Sequence, residues 1–412
     1  MPALDDILRE ELVALEQAGR KRTPQSYSRG AEAALWRGSE PLVSFSCNDY
    51  LGLSHHPAVK SAALQAIERH GLGAGASRLV TGNHPLYEEL ESLLAELKGT
   101  EAACVFASGY ATNLGVISAL TDKPDLVLFD RLAHASLIDG TMLSGATWLR
   151  FKHNDVADCE RLLAASRPNH RRCLIVTETV FSMDGDRAPV AELYEIARQH
   201  DAWLLTDDAH GLGVGEERSM GQEARSGGRD CQEPAERRAI AEVRRPEQGA
   251  LNNNLIQTGT LSKSVGAMGG YVCGSRTLID HLHSAARPLI YSTALPPAIL
   301  AAAIASLRLM QSEPELCERA MNNARFFCSQ LGLPEPQSAI VPMIMGEEER
   351  AMDASKRLRE AGFLVAAIRP PTVPPGTSRL RFTFSAVHRE EDIERLCALV
   401  RVAGWHKRSM AA

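Results

Sequence analysis

Lys263 sits in the string Thr260-Leu261-Ser262-Lys263-Ser264, with Gly266, Gly269 and Gly270 close behind. Some fifty positions upstream, Leu204-Leu205-Thr206 runs into Asp207-Asp208-Ala209-His210-Gly211. A lysine amine among small residues, where backbone can approach a ligand closely, is able to form a Schiff base with an aldehyde. A carboxylate at the end of an apolar strand is able to hold the proton of a ring nitrogen by charge pairing. Strand alternation makes Asp207 the better placed of the two acids and sends Asp208 to the opposite face. His210 is then placed to donate to a phenolic oxygen. Together these groups form the equipment for holding pyridoxal phosphate and using its ring as an electron sink.

A phosphate needs amide N–H groups. Phe106-Ala107-Ser108-Gly109-Tyr110-Ala111 leaves an apolar run and opens a helical one, which makes Gly109 and Tyr110 candidates at the positive end of a helix. Thr260 lies near enough to the lysine to join them. A plain strand-to-helix turn reads the same way. His134, in Asp130-Arg131-Leu132-Ala133-His134-Ala135-Ser136, follows another apolar run and is a candidate for covering a ring face. The glycine clusters Gly71–Gly75 and Gly211–Gly215 do not fit the G-x-G-x-x-G pattern of a dinucleotide site.

Short apolar runs must carry these residues. The expected strands are Ala102–Phe106, Leu126–Phe129, Trp148–Phe151, Cys173–Thr177, Ala202–Thr206, Leu255–Thr258 and Gly270–Cys273. Helical patterns such as Val190–His200 separate several of them, so a largely parallel α/β sheet is expected, with ligands beyond the carboxyl ends of its strands. Leu4, Leu8, Leu12 and Leu15 give the N-terminal segment a helical apolar stripe. Residues 216–254 are rich in Arg, Glu, Gly and Asn, which reads as a solvated insertion with at most one short helix near Ala235–Val243. Gly362–Ile368, Leu380–Phe384 and the helical pattern Glu390–Val402 suggest a smaller C-terminal unit.

The bulk numbers agree with a soluble enzyme. The chain has 412 residues, a 44% hydrophobic and 23% charged composition, and a net charge of −6, which gives no footprint for nucleic acid. Nine scattered cysteines contain no C-x-x-C pair, so neither a zinc site nor a disulfide framework is indicated, and a reducing cytoplasmic setting is expected. No metal is expected. The N-terminus lacks the pattern of a signal peptide, and the Ala-rich stretch Ala298–Leu307 is too short to cross a bilayer.

Read together, the motifs resemble the α-oxoamine synthases, a fold-type I pyridoxal-phosphate family. The matching pieces are Ser46–Leu53, Gly73–Gly82, Ser108-Gly109-Tyr110, Asp130–Ser136, His153-Asn154-Asp155, Thr177–Asp186, Asp207–Gly211, Thr260–Lys263 and Tyr291-Ser292-Thr293. They run nearly end to end, and the 216–254 insertion is the main departure. The resemblance implies a large domain over 46–295 with a mostly parallel seven-stranded sheet, a smaller α+β domain over 296–412, and an N-terminal helix and arm over 1–45. It also implies roles. Lys263 is the Schiff-base lysine, Asp207 pairs with the pyridine nitrogen, His210 with the phenolic oxygen, and His134 stacks on the ring. Ser182 lies beside the ring, and Gly109, Tyr110 and Thr260 bind the phosphate. Ser292 and Thr293 cross to a second subunit's phosphate, making a homodimer. Asn48 and Arg369 hold the amino-acid carboxylate, a task suited to an arginine fork. Thr372 is a further substrate contact, and Arg20 corresponds by rough position to an arginine that meets the acyl group. Ile368–Pro374 with Arg379-Leu380-Arg381 is similar to the branch joining L-alanine to a pimeloyl thioester, on coenzyme A or a carrier protein. A sister branch using glycine and a short acyl donor is the alternative.

Overall fold

The computed structural model describes residues 3–214 and 254–409. The proposed insertion at 216–254 lies outside the described residues except for Asn254.

Three short strands lead the chain: β1 (Ser28–Arg29), β2 (Ala34–Arg37) and β3 (Glu40–Ser44). The central sheet follows, built from β4 (Ala102–Phe106), β5 (Leu126–Asp130), β6 (Thr147–Phe151), β7 (Cys173–Glu178), β8 (Trp203–Asp207), β9 (Leu255–Thr260) and β10 (Gly270–Gly274). Each lies within a residue or two of its expected position. The spatial order is β4-β10-β9-β8-β7-β5-β6. Neighbours from β9 to β6 pair in parallel, and β10 runs antiparallel to both β4 and β9. Every strand except β10 therefore ends on the same edge. All residues of β4, β5, β7, β9 and β10 are buried, because helices cover both faces. This is the α/β architecture of a fold-type I transferase.

Four further strands lie toward the C-terminus: β11 (Ile340–Gly346), β12 (Phe363–Leu364), β13 (Ala366–Ile368) and β14 (Ser378–Thr383). The stretch Gly362–Ile368, read from sequence as one strand, splits into β12 and β13, which join different sheets. β11, β14 and β13 form an antiparallel sheet. β12 instead pairs in parallel with β3, through Phe363 opposite Val43. The aromatic rings of Phe45, Phe327, Phe363, Phe382 and Phe384 fill the core beside these strands. The helix Pro297–Ser312 packs with the other core, burying Leu300, Ile304 and Leu307 with Leu90, Leu94 and Val105. We propose on this basis that the smaller unit begins after Ser312 rather than at 296, and that it takes in β3. Its next helix, Pro314–Leu331, opens with proline at its first position.

The helix Leu4–Gln17 buries none of its side chains, and Leu4, Leu8, Leu12 and Val13 stand exposed. None of the helices among the described residues is long and apolar enough to cross a membrane.

Candidate active site

Five parallel strands deliver the chemistry to one edge. β4 ends at Phe106, and the chain turns through Ser108, which caps the helix Gly109–Leu120 by accepting from the Ala111 amide. The first amides of a helix have no intrahelical partner, so those of Gly109 and Tyr110 form an anion-binding end. The turn is tight against its neighbours. A Cβ on Gly270 would come within 2.5 Å of the Gly109 nitrogen, and a Cβ on Gly109 within 3.1 Å of the Thr260 Cβ. Thr260 Oγ1 donates to the Gly269 carbonyl at 2.8 Å and lies 2.8 Å from Ser262 Oγ. Phosphate-binding candidates from two separate segments, Gly109 with Tyr110 and Thr260, therefore converge.

β8 ends at Asp207, which is 6% exposed. Asn113, on the helix after β4, donates from Nδ2 to Asp207 Oδ2 at 2.7 Å, and the Ala209 amide donates to Oδ1 at 3.0 Å. Thr258 on β9 donates to Asn113 Oδ1 at 2.8 Å and so fixes which end of the amide faces the acid. Asn113 Nδ2 also donates to Ser136 Oγ, which leaves that hydroxyl to donate to His134 Nδ1 at 2.8 Å. His134 caps the helix Ala135–Ser144 and is open to solvent, with its ring edge-on to Tyr110 at 6.5 Å. Asp208 turns the other way. It meets the Lys98 amine and the Thr179 hydroxyl in a pocket where both charged side chains are 2% exposed. One strand end thus sends its two carboxylates to opposite sides.

Lys263 Nζ lies 2.8 Å from His210 Nε2. Burial, opposed by the carboxylates of Asp207 and Glu178, lowers the lysine to about 8. Burial and the charges of Lys263 and Arg381 push His210 well below the usual histidine range, so its ring is neutral. Tyr50 Oη lies 2.6 Å from His210 Nδ1.

Like Asn113 and Tyr50, two further groups in this site carry no role in the sequence reading. Glu178 ends β7 directly opposite Asp207 in the sheet register. It is 3% exposed, and its Oε1 has no hydrogen-bond partner among the described residues. Burial and the nearby Asp207 carboxylate hold it well above the usual carboxyl range. Arg381, on β14, is 6% exposed, donates to the Ser182 carbonyl at 2.5 Å, and reaches Asn48 Oδ1 at 3.2 Å. No spacing rule separates it from Arg379, which pairs with Asp184. Arg369 lies farther out and donates to the Gly19 carbonyl. Thr372 is exposed and accepts from Arg22 at 3.4 Å. Arg20 is exposed on the same segment. Arg20, Arg369 and Thr372 thus share an outer wall, while Asn48 and Ser182 gather around Arg381. Thr293 bridges to Ser77, and its neighbours Ser292 and Tyr291 are solvent-accessible, Tyr291 at 70%.

The residues fit a pyridoxal-type cofactor. A buried acid held by an amide, a neutral imidazole beside an amine, and a helix N-terminus flanked by hydroxyls match the ring nitrogen, phenolic oxygen, aldehyde and phosphate of that group. The orphaned Glu178 oxygen is a further polar atom at the same strand ends. Among the described residues, no cluster of side chains is arranged to hold a metal ion.

This edge, with its lysine after β9 and its acid at the end of β8, defines a class of protein. The chain belongs to the class I and II aminotransferase family, whose sequence profile matches residues 40–400, and within it to the family of the 8-amino-7-oxononanoate synthases. It is 54% identical to the 8-amino-7-oxononanoate synthase of Methylocella silvestris over 367 residues, which is 89% of this chain and 98% of that one. A serine palmitoyltransferase from S. paucimobilis, solved with PLP and myriocin bound, superposes with a TM-score of 0.83 at 30% identity, covering 99% of this chain and 98% of that one. The 8-amino-7-oxononanoate synthase of Francisella tularensis superposes at 0.68 with 26% identity, covering 88% of this chain and 98% of that one.

Proposed function

We propose that this enzyme joins L-alanine to a pimeloyl thioester, releasing carbon dioxide and the free thiol and giving 8-amino-7-oxononanoate for biotin biosynthesis. The observation that carries the reading is the convergence of Lys263, His210 and Asp207 at one sheet edge, in a chain 54% identical to a protein of that name. The greater structural likeness to a serine palmitoyltransferase supports the shared fold and does not select the substrate.

Bound pyridoxal phosphate supplies an aldehyde for Lys263 and a protonated ring that draws electron density from the substrate α-carbon. Asp207, locked by Asn113 and the Ala209 amide, holds the ring-nitrogen proton. His210 donates to the phenolic oxygen, His134 covers the ring face, and Ser182 lies beside it. Gly109 and Tyr110 present amides to the phosphate with Thr260, while Ser292 and Thr293 reach the phosphate of a second copy in a homodimer. Lys263, lowered to about 8, has a neutral fraction far larger than an ordinary lysine's at neutral pH, so its amine is able to take the α-proton of alanine and later return a proton to the same carbon. Asn48 and the buried Arg381 hold the substrate carboxylate from the inner side, with Arg369 and Thr372 closing from the outer wall. Arg20 meets the acyl chain there. The cysteines among the described residues are all free, in keeping with a reducing, cytoplasmic setting.

Two measurements test the reading. Borohydride treatment of the holoenzyme should fix the cofactor at Lys263, and mass spectrometry should find 8-amino-7-oxononanoate after incubation with alanine and pimeloyl thioester. Fixation at another lysine, or product only from glycine with a short acyl donor, overturns it.

A further inference from the structure

Tyr50 is given no role in the reading above, yet it is fully buried beside His210 and Asn48. Its hydroxyl has two neighbours that can accept. His210 Nδ1 lies at 2.6 Å, and Asn48 Oδ1 lies at 3.5 Å and already receives Arg381. The short contact takes the proton, because a hydrogen bond weakens steeply beyond normal length. Burial, partly opposed by Arg381, pushes the phenol up to about 12, so the hydroxyl keeps its proton to give. An Nδ1 that accepts must leave the imidazole hydrogen on Nε2, since a neutral ring carries one. Nε2 is the nitrogen 2.8 Å from Lys263.

We propose that Tyr50 is a positioning residue that fixes His210 in the tautomer bearing its hydrogen on Nε2, so that His210 donates from that nitrogen to the cofactor's phenolic oxygen. This rests on the cofactor reading above and adds the residue that polarises its histidine. Without the tyrosine hydroxyl, both tautomers become available to the ring, and in one of them a bare Nε2 lone pair faces the phenolic oxygen. Lys263, Arg381, His134 and Cys47 are the other titratable or charged groups acting on this pair, Asp207 and Glu178 act on Lys263 in turn, and each is retained in the variants below.

The test follows the visible absorbance of the holoenzyme against pH in wild type, Tyr50→Phe, His210→Ala and the double variant. A donor on the phenolic oxygen favours the deprotonated form of the lysine–cofactor linkage. Losing the fixed donor should therefore raise the midpoint in Tyr50→Phe by about half to one pH unit. In the His210→Ala background the same change should shift it by less than about 0.2 unit, because an effect transmitted through His210 cannot survive its removal. A full-sized shift in that background, or none in the wild-type background, overturns the proposal. Imidazole nitrogen shifts of wild-type holoenzyme give a readout independent of Tyr50→Phe folding. The signal lost in His210→Ala should report a protonated Nε2, and a protonated Nδ1 overturns the proposal. A wild-type protein with no visible band refutes the cofactor reading and this inference with it, whereas a normal band unmoved by Tyr50→Phe refutes this inference alone.

Discussion

Asn113 Nδ2 donates to Asp207 Oδ2 at 2.7 Å, from a helix almost a hundred residues away in the chain. The same nitrogen reaches Ser136, which serves His134, so one amide orients both the Asp207 carboxylate and the His134 imidazole. Asn113→Ala should loosen both at once. We expect cofactor affinity to fall about tenfold and turnover by one to two orders of magnitude, as is common for groups that orient a ligand-binding residue. Equilibrium titration of the apoenzyme with pyridoxal phosphate measures the first, and unchanged affinity would refute the hub role.

The proposed function gives two arginines a part in holding the substrate carboxylate. Arg381 is buried against Asn48 and the Ser182 carbonyl, while Arg369 sits on the outer wall against Gly19. Losing a charge-assisted fork at a buried site costs more than losing one at a wet rim. Arg381→Lys should raise the KM for L-alanine by about two orders of magnitude, and Arg369→Lys by about one. The reverse order in steady-state kinetics would return the inner role to Arg369.

Lys98 and Asp208 form an ion pair with both side chains 2% exposed. Removing one partner leaves a bare charge in the interior, so Lys98→Met should cost about 3–5 kcal/mol of stability. Adding Asp208→Asn should recover part of that loss. Urea denaturation of the single and double variants checks this, and simple additivity of two losses would contradict it.

His153 donates to Asp130 at 3.0 Å and to Asp186 at 2.7 Å, tying the end of β5 to the Ser182 loop. Burial alone would lower its pKa, but the two carboxylates outweigh it and raise the value to about 9. The folded value thus exceeds the unfolded one, near 6.5. Its contribution is complete below about pH 6.5 and fades as pH rises through about 9. The stability gap between wild type and His153→Gln should be widest near pH 6 and narrow toward about pH 10. A gap that stays constant would remove the charge from the argument.

Much of this site is legible in the chain. The run Leu204–Thr206 before Asp207, the small residues around Lys263, and Ser108-Gly109 after an apolar strand each state a local requirement: a buried strand, a close approach, a helix start. β4 through β10 follow because an apolar run bounded by polar turns has few other homes. That Asp207 and Asp208 face opposite ways also follows from period-two geometry. The antiparallel course of β10 is not written in its residues, since a fully buried strand has the same composition in either direction.

What the sequence by itself determined is the chemistry on offer: a lysine, an acid, two histidines and a helix N-terminus, each at the end of a strand. Only the tertiary structure decided which groups meet. It brought Asn113 to Asp207, Tyr50 to His210 and Glu178 to the same edge, chose Arg381 over Arg379 to reach Asn48, and sent β12 to pair with β3. Those choices depend on strand order and side-chain reach between separate segments, 94 residues apart for Asn113 and Asp207, 160 for Tyr50 and His210 and 333 for Asn48 and Arg381. Local propensity and periodicity carry no information about such distances, because they describe a residue's neighbours in the chain and not its neighbours in space.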